Sequence, residues 1–120
     1  MKLVKAFVRS YKLEEIVRAL EAAEAPGITV SRVHGVGYGY APKLFSMSEG
    51  EMEHAQEMAK VEVVCADLVL DRMVGALVAA ARTGLSGDGI VFVTEVERAI
   101  RIRTGEEGPA AFRGSASGTP

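Results

Sequence analysis

The hydrophobic and polar positions of the chain follow two periods, one typical of strands and one typical of helices. Residues 2–8 are a short apolar run bounded by polar residues, which predicts a first strand. A first helix is predicted after this strand, and Pro26 and Gly27 are expected to end it. A run rich in β-branched residues, 28–36, predicts a second strand. The apolar stripe of the first helix, with helical spacing, consists of Leu13, Ile16, Val17, Leu20 and Ala23.

The second half of the chain repeats this order. Residues 60–66 are mostly apolar and predict a central strand, and Asp67 has a side chain suited to capping a helix. Gly84 is expected to end that helix. Residues 90–96 predict a fourth strand, and residues 99–103 predict a short fifth. The predicted buried stripe of the second helix is Leu70, Met73, Val74, Leu77, Val78 and Ala81.

The order β-α-β, long loop, β-α-β predicts an α+β fold of the ferredoxin-like, split βαβ type. In such a fold an antiparallel sheet carries two helices on one face. Residues 1–108 are expected to form this domain, with residues 37–58 as a long loop between strands 2 and 3. Residues 109–120 are small and polar and are expected to form a disordered tail. Because the second face of so apolar a sheet needs a partner, we expect a homo-oligomer.

Composition narrows the class of protein. The 120 residues suit one domain, and a net charge of −2 argues against nucleic acid as a partner. No apolar run approaches the roughly 20 residues of a membrane helix, so direct membrane insertion is not expected. Lys2 and Lys5 interrupt the first apolar run, which argues against a signal peptide and for a cytoplasmic protein. Cys65 is the only cysteine, which excludes a Cys-rich zinc site and indicates an apolar role in a strand.

The residues with the most chemical character lie between Thr83 and Gly108. A glycine-bracketed turn, GLSGDG, opens onto the fourth strand, and Arg101 and Arg103 follow, two positions apart on the expected fifth strand. Glycine lets backbone N–H groups approach a phosphate closely, and the planar arginine side chain donates two hydrogen bonds to one. The pattern indicates a phosphate site. Tight turns beside a solvated basic edge are the alternative interpretation.

Over residues 1–108 the chain resembles the PII signal-transduction proteins. The resemblance rests on MKLVKAFV, YKLEEIVRAL, GITVSRVHGVG, KVEVV, AARTGLSGDGIVFV and AIRIRTGEEG, which occur in this order. It implies a homotrimer with adenine-nucleotide sites in the clefts between subunits. It also implies a long loop on each subunit that docks onto a target protein, either a membrane transporter or a metabolic enzyme. A regulator of this kind is not expected to be an enzyme.

The resemblance also implies individual roles. The turn formed by Gly87, Asp88 and Gly89 contributes backbone N–H groups to the phosphates, which Arg101 and Arg103 reach from the adjoining subunit. The strands lining the adenine pocket contribute Thr29, Glu62 and Val64. The loop leaves the body of the domain at Gly35 and Gly37. The residues expected to dock onto a partner are Tyr40, Lys43, Phe45, Met47, Glu51 and Met52.

The chain departs from the family where the outer phosphate, magnesium and 2-oxoglutarate are bound. Tyr38 and Gly39 replace the arginine and glutamine of the loop entrance, Ile90 replaces the lysine after Gly-Asp-Gly, and Met58 replaces the loop lysine. Glu51 stands where some members carry a modifiable tyrosine. Each lost charge-assisted contact is worth about 1.5–3 kcal/mol. ADP or AMP is therefore expected to be favoured over ATP, without 2-oxoglutarate sensing of the family's type.

Two other classes of function each fit part of the sequence. In a metal-responsive interaction protein, His54, Met52 and Met58 of the loop would bind a soft or borderline ion beside a vestigial nucleotide site. A solvated histidine among adaptable methionines is the simpler interpretation. In an enzyme, Asp88 would be a general base, although a role in shaping the turn explains this residue better.

Overall fold

In this computed structural model, residues 1–35 and 57–113 are described, and within them four strands form one antiparallel sheet. The strand order is β2-β3-β1-β4, which confirms the ferredoxin-like α+β fold. The strands are β1 (Lys2–Arg9), β2 (Thr29–His34), β3 (Glu57–Cys65) and β4 (Gly89–Glu95). The helices are α1 (Leu13–Ala22) and α2 (Leu70–Ala81), and both pack on the same face of the sheet.

The strand β1 lies at the centre of the fold because it pairs with β3 on one side and with β4 on the other. Its side chains alternate between the two faces of the sheet, as in any strand. Val4, Ala6 and Val8 are buried beneath the helices, whereas Leu3 and Phe7 lie on the opposite face, which we call the open face. The core therefore lies entirely between the helices and one side of the sheet.

The helices bury the faces that their periodicity predicts, with one exception. The fully buried helical residues are Ile16, Leu20, Met73 and Leu77. Val78 was predicted to be buried but is 36% exposed, since it follows Leu77 by one residue and so lies about 100° around the helix. Cys65 is buried in β3 as predicted, and burial raises the pKa of its thiol. Among the described residues, no helix is long and apolar enough to cross a membrane.

The predicted end of α1 and the predicted start of α2 both need correction. The helix α1 ends before Pro26, because Glu24 adopts a left-handed conformation (φ +66°) and the N–H of Ala25 donates to the Leu20 carbonyl at 2.9 Å. Asp67 does not cap α2 but opens a short 3-10 turn, Asp67–Val69. Its carboxylate instead accepts a hydrogen bond from the N-terminal amine of Met1 at 2.7 Å.

The predicted loop of residues 37–58 is shorter at its end than expected, because β3 begins at Glu57. Glu57 pairs with His34 of β2, and Met58 pairs with Arg9 of β1. Met58 is only 5% exposed, so it belongs to the sheet and not to the loop. A strand that pairs with neighbours on both sides extends as far as those neighbours allow. Here β1 pairs with β3 back to Met58, and β2 pairs with it back to Glu57, so β3 begins before residue 60.

The C-terminal region also differs from its prediction. Residues 99–103 form no strand; only an isolated bridge joins Ile100 to Glu107. The first part of the predicted disordered tail is ordered, because Gly108–Ala111 is a 3-10 turn and Ala111 is 9% exposed. Proline suits the start of such a turn, because its fixed φ matches the helical conformation. Residues 114–120 lie outside the described residues.

Replacing Gly89 with alanine is expected to destabilise the fold by about 3 kcal/mol. A Cβ atom there would lie 1.7 Å from the carbonyl oxygen of Phe7, and the residue has φ +107°. Backbone strain of about 1–2 kcal/mol adds to overpacking of about 1–3 kcal/mol. Urea unfolding measures the loss. Gly84→Ala is the matched control, because it has φ +86° but no atom within 4 Å, and about 1 kcal/mol is expected. Equal losses in the two variants would contradict the steric argument.

Candidate functional site

The turn between α2 and β4 is held open by glycines in left-handed conformations. Gly87 has φ +100°, and a Cβ atom there would lie 3.2 Å from Nη2 of Arg9. Gly84 also has a positive φ, but it does not end α2 as predicted, because the helix ends at Ala81 and Arg82 is extended. The backbone of this turn is therefore close to a guanidinium group and to β1, with no side chain between them.

Asp88 organises the turn from within. Its carboxylate accepts hydrogen bonds from the backbone N–H groups of Thr83 at 2.8 Å and Gly84 at 2.9 Å, from the Thr83 hydroxyl, and from Nε of Arg9 at 3.0 Å. The Thr83 hydroxyl first, and then the backbone and Arg9, hold the pKa of Asp88 well below its usual range. A carboxylate so occupied is a weak proton acceptor, which argues against a general base at this position.

Arg9 is a site residue that the sequence pattern does not reveal. It ends β1, and besides Asp88 it contacts the carbonyl oxygen of Ser86 through Nη2 at 2.8 Å. It is therefore bonded to the turn at two points separated by one residue. Only the register of β1 against β4, which places Val8 opposite Gly89, brings it there. In the sequence it is 79 positions from Asp88 and marks no more than the end of a strand.

A second feature, at the opposite end of the sheet, is a cavity of about 320 Å³. It brings together Thr29, Glu62 and Val64, the residues that the resemblance places around an adenine base. Its volume is at the lower end of the range for small-molecule pockets. The remaining lining residues are Leu3, Pro26, Gly27, Ala111 and Phe112. The last two come from the C-terminal segment that was predicted to be disordered.

The two arginines of the predicted basic pair have different environments. Arg101 is 7% exposed, and its guanidinium donates to the carbonyl oxygens of Ala111 at 3.3 Å and Arg113, and lies 3.6 Å from the Glu106 carboxylate. Arg103 is exposed. They do not share a strand face, because the Gly105 N–H donates to the Arg101 carbonyl and closes a tight turn.

The predicted nucleotide-binding residues thus form two groups. Gly87, Asp88 and Gly89 lie at the end of the sheet where Val8 pairs with Gly89, which we call the turn end. The cavity lies toward the end where Leu3 pairs with Val64, which we call the cavity end. These ends are about 17 Å apart along β1, since each residue of a strand advances the chain by about 3.3 Å. The cavity is lined by residues of β1, β2 and β3, whereas β4 begins at Gly89, at the turn end.

Several predicted residues belong to neither group or lie outside the described residues. Gly35 is buried and directly follows β2, at the turn end. Gly37, the docking residues Tyr40, Lys43, Phe45, Met47, Glu51 and Met52, and the metal candidate His54 lie outside the described residues. Across residues 1–35 and 57–113, no cluster of three or more His, Cys, Asp or Glu side chains is suited to holding a metal ion.

Two of the departures from the family can be located in the sheet. Ile90 pairs with Phe7 on the open face, directly after the turn, and Met58 is buried at the start of β3. At both positions, where the resemblance implies lysines, this chain places apolar side chains in the sheet. No cation from these two positions is available at the turn end.

Comparisons with known proteins agree on one family. A model of the family described as "Nitrogen regulatory protein P-II" matches residues 1–106. A nitrogen regulatory protein P-II of Nostoc punctiforme is 44% identical over 112 residues, covering 92% of this chain and 99% of the relative. Proteins of the same description from Synechocystis sp. and Cereibacter sphaeroides are 41% and 39% identical, and each match covers at least 92% of this chain and 99% of the relative.

Asp88→Asn is expected to destabilise the protein most at neutral pH, and the loss is expected to become smaller as the pH falls below the unfolded pKa. An aspartate in an unfolded chain has a pKa of about 3.9, and the folded pKa of Asp88 is lower. Its contribution to stability is therefore complete above the unfolded pKa and is lost as the pH falls through the folded pKa. Urea unfolding of both proteins at about pH 7 and about pH 3 measures the difference.

The matched control for this experiment is Asp71→Asn, which removes one negative charge from an exposed position on α2. It is expected to change the free energy of unfolding little at either pH. A loss for Asp88→Asn that is the same at both pH values would show that the carboxylate charge is not what holds the turn.

Proposed function

The chain belongs to the family of nitrogen regulatory protein P-II, and on that premise we propose that it is a homotrimeric signalling protein that binds an adenine nucleotide between its subunits. Proteins of this family are regulators rather than enzymes. The nucleotide would bias the long loop between strands β2 and β3 and so control a target protein, either a transporter or a metabolic enzyme. The observation that carries the proposal is the division of the candidate site between two ends of one sheet.

The division supports a site that is shared between chains. The turn end supplies glycine backbone for phosphates, and the cavity end supplies an open, mostly apolar concave surface with Thr29 and Glu62 as polar groups. Because the two ends lie about 17 Å apart along β1 within one chain, a ligand that uses both takes one end from each of two neighbouring subunits. Closed rotational symmetry then repeats the same site at every interface.

The open face of the sheet supports self-association. Phe7 and Phe92 lie on it with their ring centroids 6.3 Å apart, beside a concavity of about 430 Å³ that Lys5 and Thr94 complete. Phe92 is 39% exposed in the single chain. Aromatic surface of this kind is stabilised when a second copy removes it from water.

The nucleotide proposed is ADP or AMP rather than ATP. An additional phosphate adds negative charge, and Ile90, the residue directly after the turn, provides no cation to meet it. Arg9 adds no compensating positive charge, since its guanidinium is already paired with the Asp88 carboxylate. Arg103, which is exposed, is the cation proposed to reach the phosphates from the neighbouring subunit.

Ile90→Lys is expected to raise the affinity for ATP by about tenfold or more while changing the affinity for ADP much less. A charged hydrogen bond to the outermost phosphate is worth about 1.5–3 kcal/mol. Calorimetric titration of wild type and variant with both nucleotides measures the ratio. Gly75→Lys adds the same charge at an exposed position in the middle of α2, on the other side of the sheet, and is the control. If wild type already binds ATP more tightly than ADP, or if 2-oxoglutarate strengthens binding, the proposed selectivity is wrong.

Mixing two inactive variants is expected to restore binding. Ile90→Glu places a negative charge at the turn end, and Arg103→Glu places one where the neighbouring subunit is proposed to reach the phosphates. Each homotrimer should therefore fail to bind ADP, because the new carboxylate repels the phosphates. After joint unfolding and refolding in equal amounts, about a quarter of the interfaces combine an intact turn end with an intact Arg103. Calorimetry would detect these sites, and light scattering would confirm the assembly. If each site lay within a single chain, no site would recover.

A further inference from the structure

The cavity carries an aromatic residue that the sequence pattern does not assign to any site. Phe112 lies beyond the last recognised motif, yet it lines the cavity together with Thr29, Glu62 and Val64. It is partly buried, and the preceding Ala111 is 9% exposed. The segment from Gly108 to Arg113 therefore forms one wall of this cavity.

Arg101 fixes that wall. Its Nε donates to the carbonyl oxygen of Ala111 and its Nη2 to the carbonyl oxygen of Arg113, the two residues that flank Phe112. The N–H groups of Phe112 and Arg113 both donate to the Pro109 carbonyl, at 3.3 and 3.1 Å. The backbone on both sides of Phe112 is thus bonded, which holds the residue at the cavity.

The same contacts leave Arg101 poorly placed to bind a phosphate. The side chain is 7% exposed, and the third nitrogen of the guanidinium lies 3.6 Å from the Glu106 carboxylate. Buried charges are stable when they are paired and hydrogen-bonded, and this guanidinium is already so. A phosphate would have to displace two backbone carbonyls and one carboxylate.

We propose that Phe112 is a binding residue that contacts the purine base, and that Arg101 is its positioning residue rather than a phosphate ligand. This inference rests on the proposed function, since it takes the ligand of the cavity to be an adenine nucleotide. The flat ring offers a stacking surface for the base, which the small and aliphatic residues of the cavity do not. The phosphates are left to the partner's turn and to Arg103.

The chain contains no tryptophan, so Phe112→Trp gives a single tryptophan signal at the proposed contact. Adenosine and ADP are each expected to quench its fluorescence saturably, because a stacked base contacts the indole directly. Phe112→Leu keeps an apolar side chain but removes the aromatic ring. It is expected to lower the affinity for both ligands, measured by calorimetry, by about 5- to 150-fold. Phe112→Tyr should bind as wild type does.

The role of Arg101 is tested by comparing a ligand with phosphates and one without. Arg101→Ala is expected to lower the affinities for adenosine and for ADP by the same factor. Combined with Phe112→Trp it should abolish the fluorescence quenching, and combined with Phe112→Leu it should lower the affinities little further. Arg103→Ala should weaken ADP but not adenosine. Unfolding temperatures, measured in parallel, establish that each variant remains folded, and Arg101→Lys should recover part of the binding because it still donates to a carbonyl.

The outcomes separate this inference from the proposed function. If wild type binds ADP but Phe112→Leu leaves both affinities unchanged, the inference is wrong and the proposed function stands. An Arg101→Ala variant that loses ADP affinity alone would restore Arg101 as a phosphate ligand and overturn the positioning role. If wild type binds neither adenosine nor ADP, the proposed function itself is wrong, and the inference with it.

Discussion

The register of β1 against its two neighbours fixes both the core and the site. Phe7 of β1 approaches β4 so closely that its carbonyl oxygen leaves room only for a hydrogen atom on Gly89. That close pairing brings Arg9, at the end of β1, to the Asp88 carboxylate. A slip of one residue would move Val4, Ala6 and Val8 to the open face and Arg9 away from the turn. Core burial and turn geometry are therefore consequences of one pairing, and neither can change without the other.

Two buried or half-buried cations at opposite ends of the sheet are each neutralised within the chain. At the turn end Arg9 meets Asp88, and at the cavity end Arg101 meets Glu106 and two backbone carbonyls. Removing one partner of such a pair leaves an uncompensated charge, which destabilises the fold. Both arginines therefore have a structural role. An anionic ligand then depends on backbone N–H groups and on an exposed cation. This distinction separates Arg103 from Arg101, although the sequence presents them as a matched pair.

Periodicity predicted the elements of this fold because their burial depends on local alternation. The four strands and both helices follow from apolar spacing, and the three residues around the cavity were identified through the family resemblance. The errors occur where a distant partner decides the outcome. Met58 joins β3 because it pairs with the last residue of β1 and because β2 pairs one residue further. Asp67 bonds to the N-terminal amine, and the segment after Gly108 is held by Arg101. No local pattern encodes contacts made across so many intervening residues.

The apolar residues that replace the family's lysines have structural consequences of their own. Met58 is 5% exposed, and burying a methionine side chain contributes about 1.5–3 kcal/mol relative to leaving it in water. A lysine there would have to reach solvent or lower its pKa. The sheet is therefore strengthened by the same change that, according to the family resemblance, removes a contact to 2-oxoglutarate. Under the proposed function, a nucleotide would act on the loop from its other end, where Gly35 follows β2 at the turn end of the sheet.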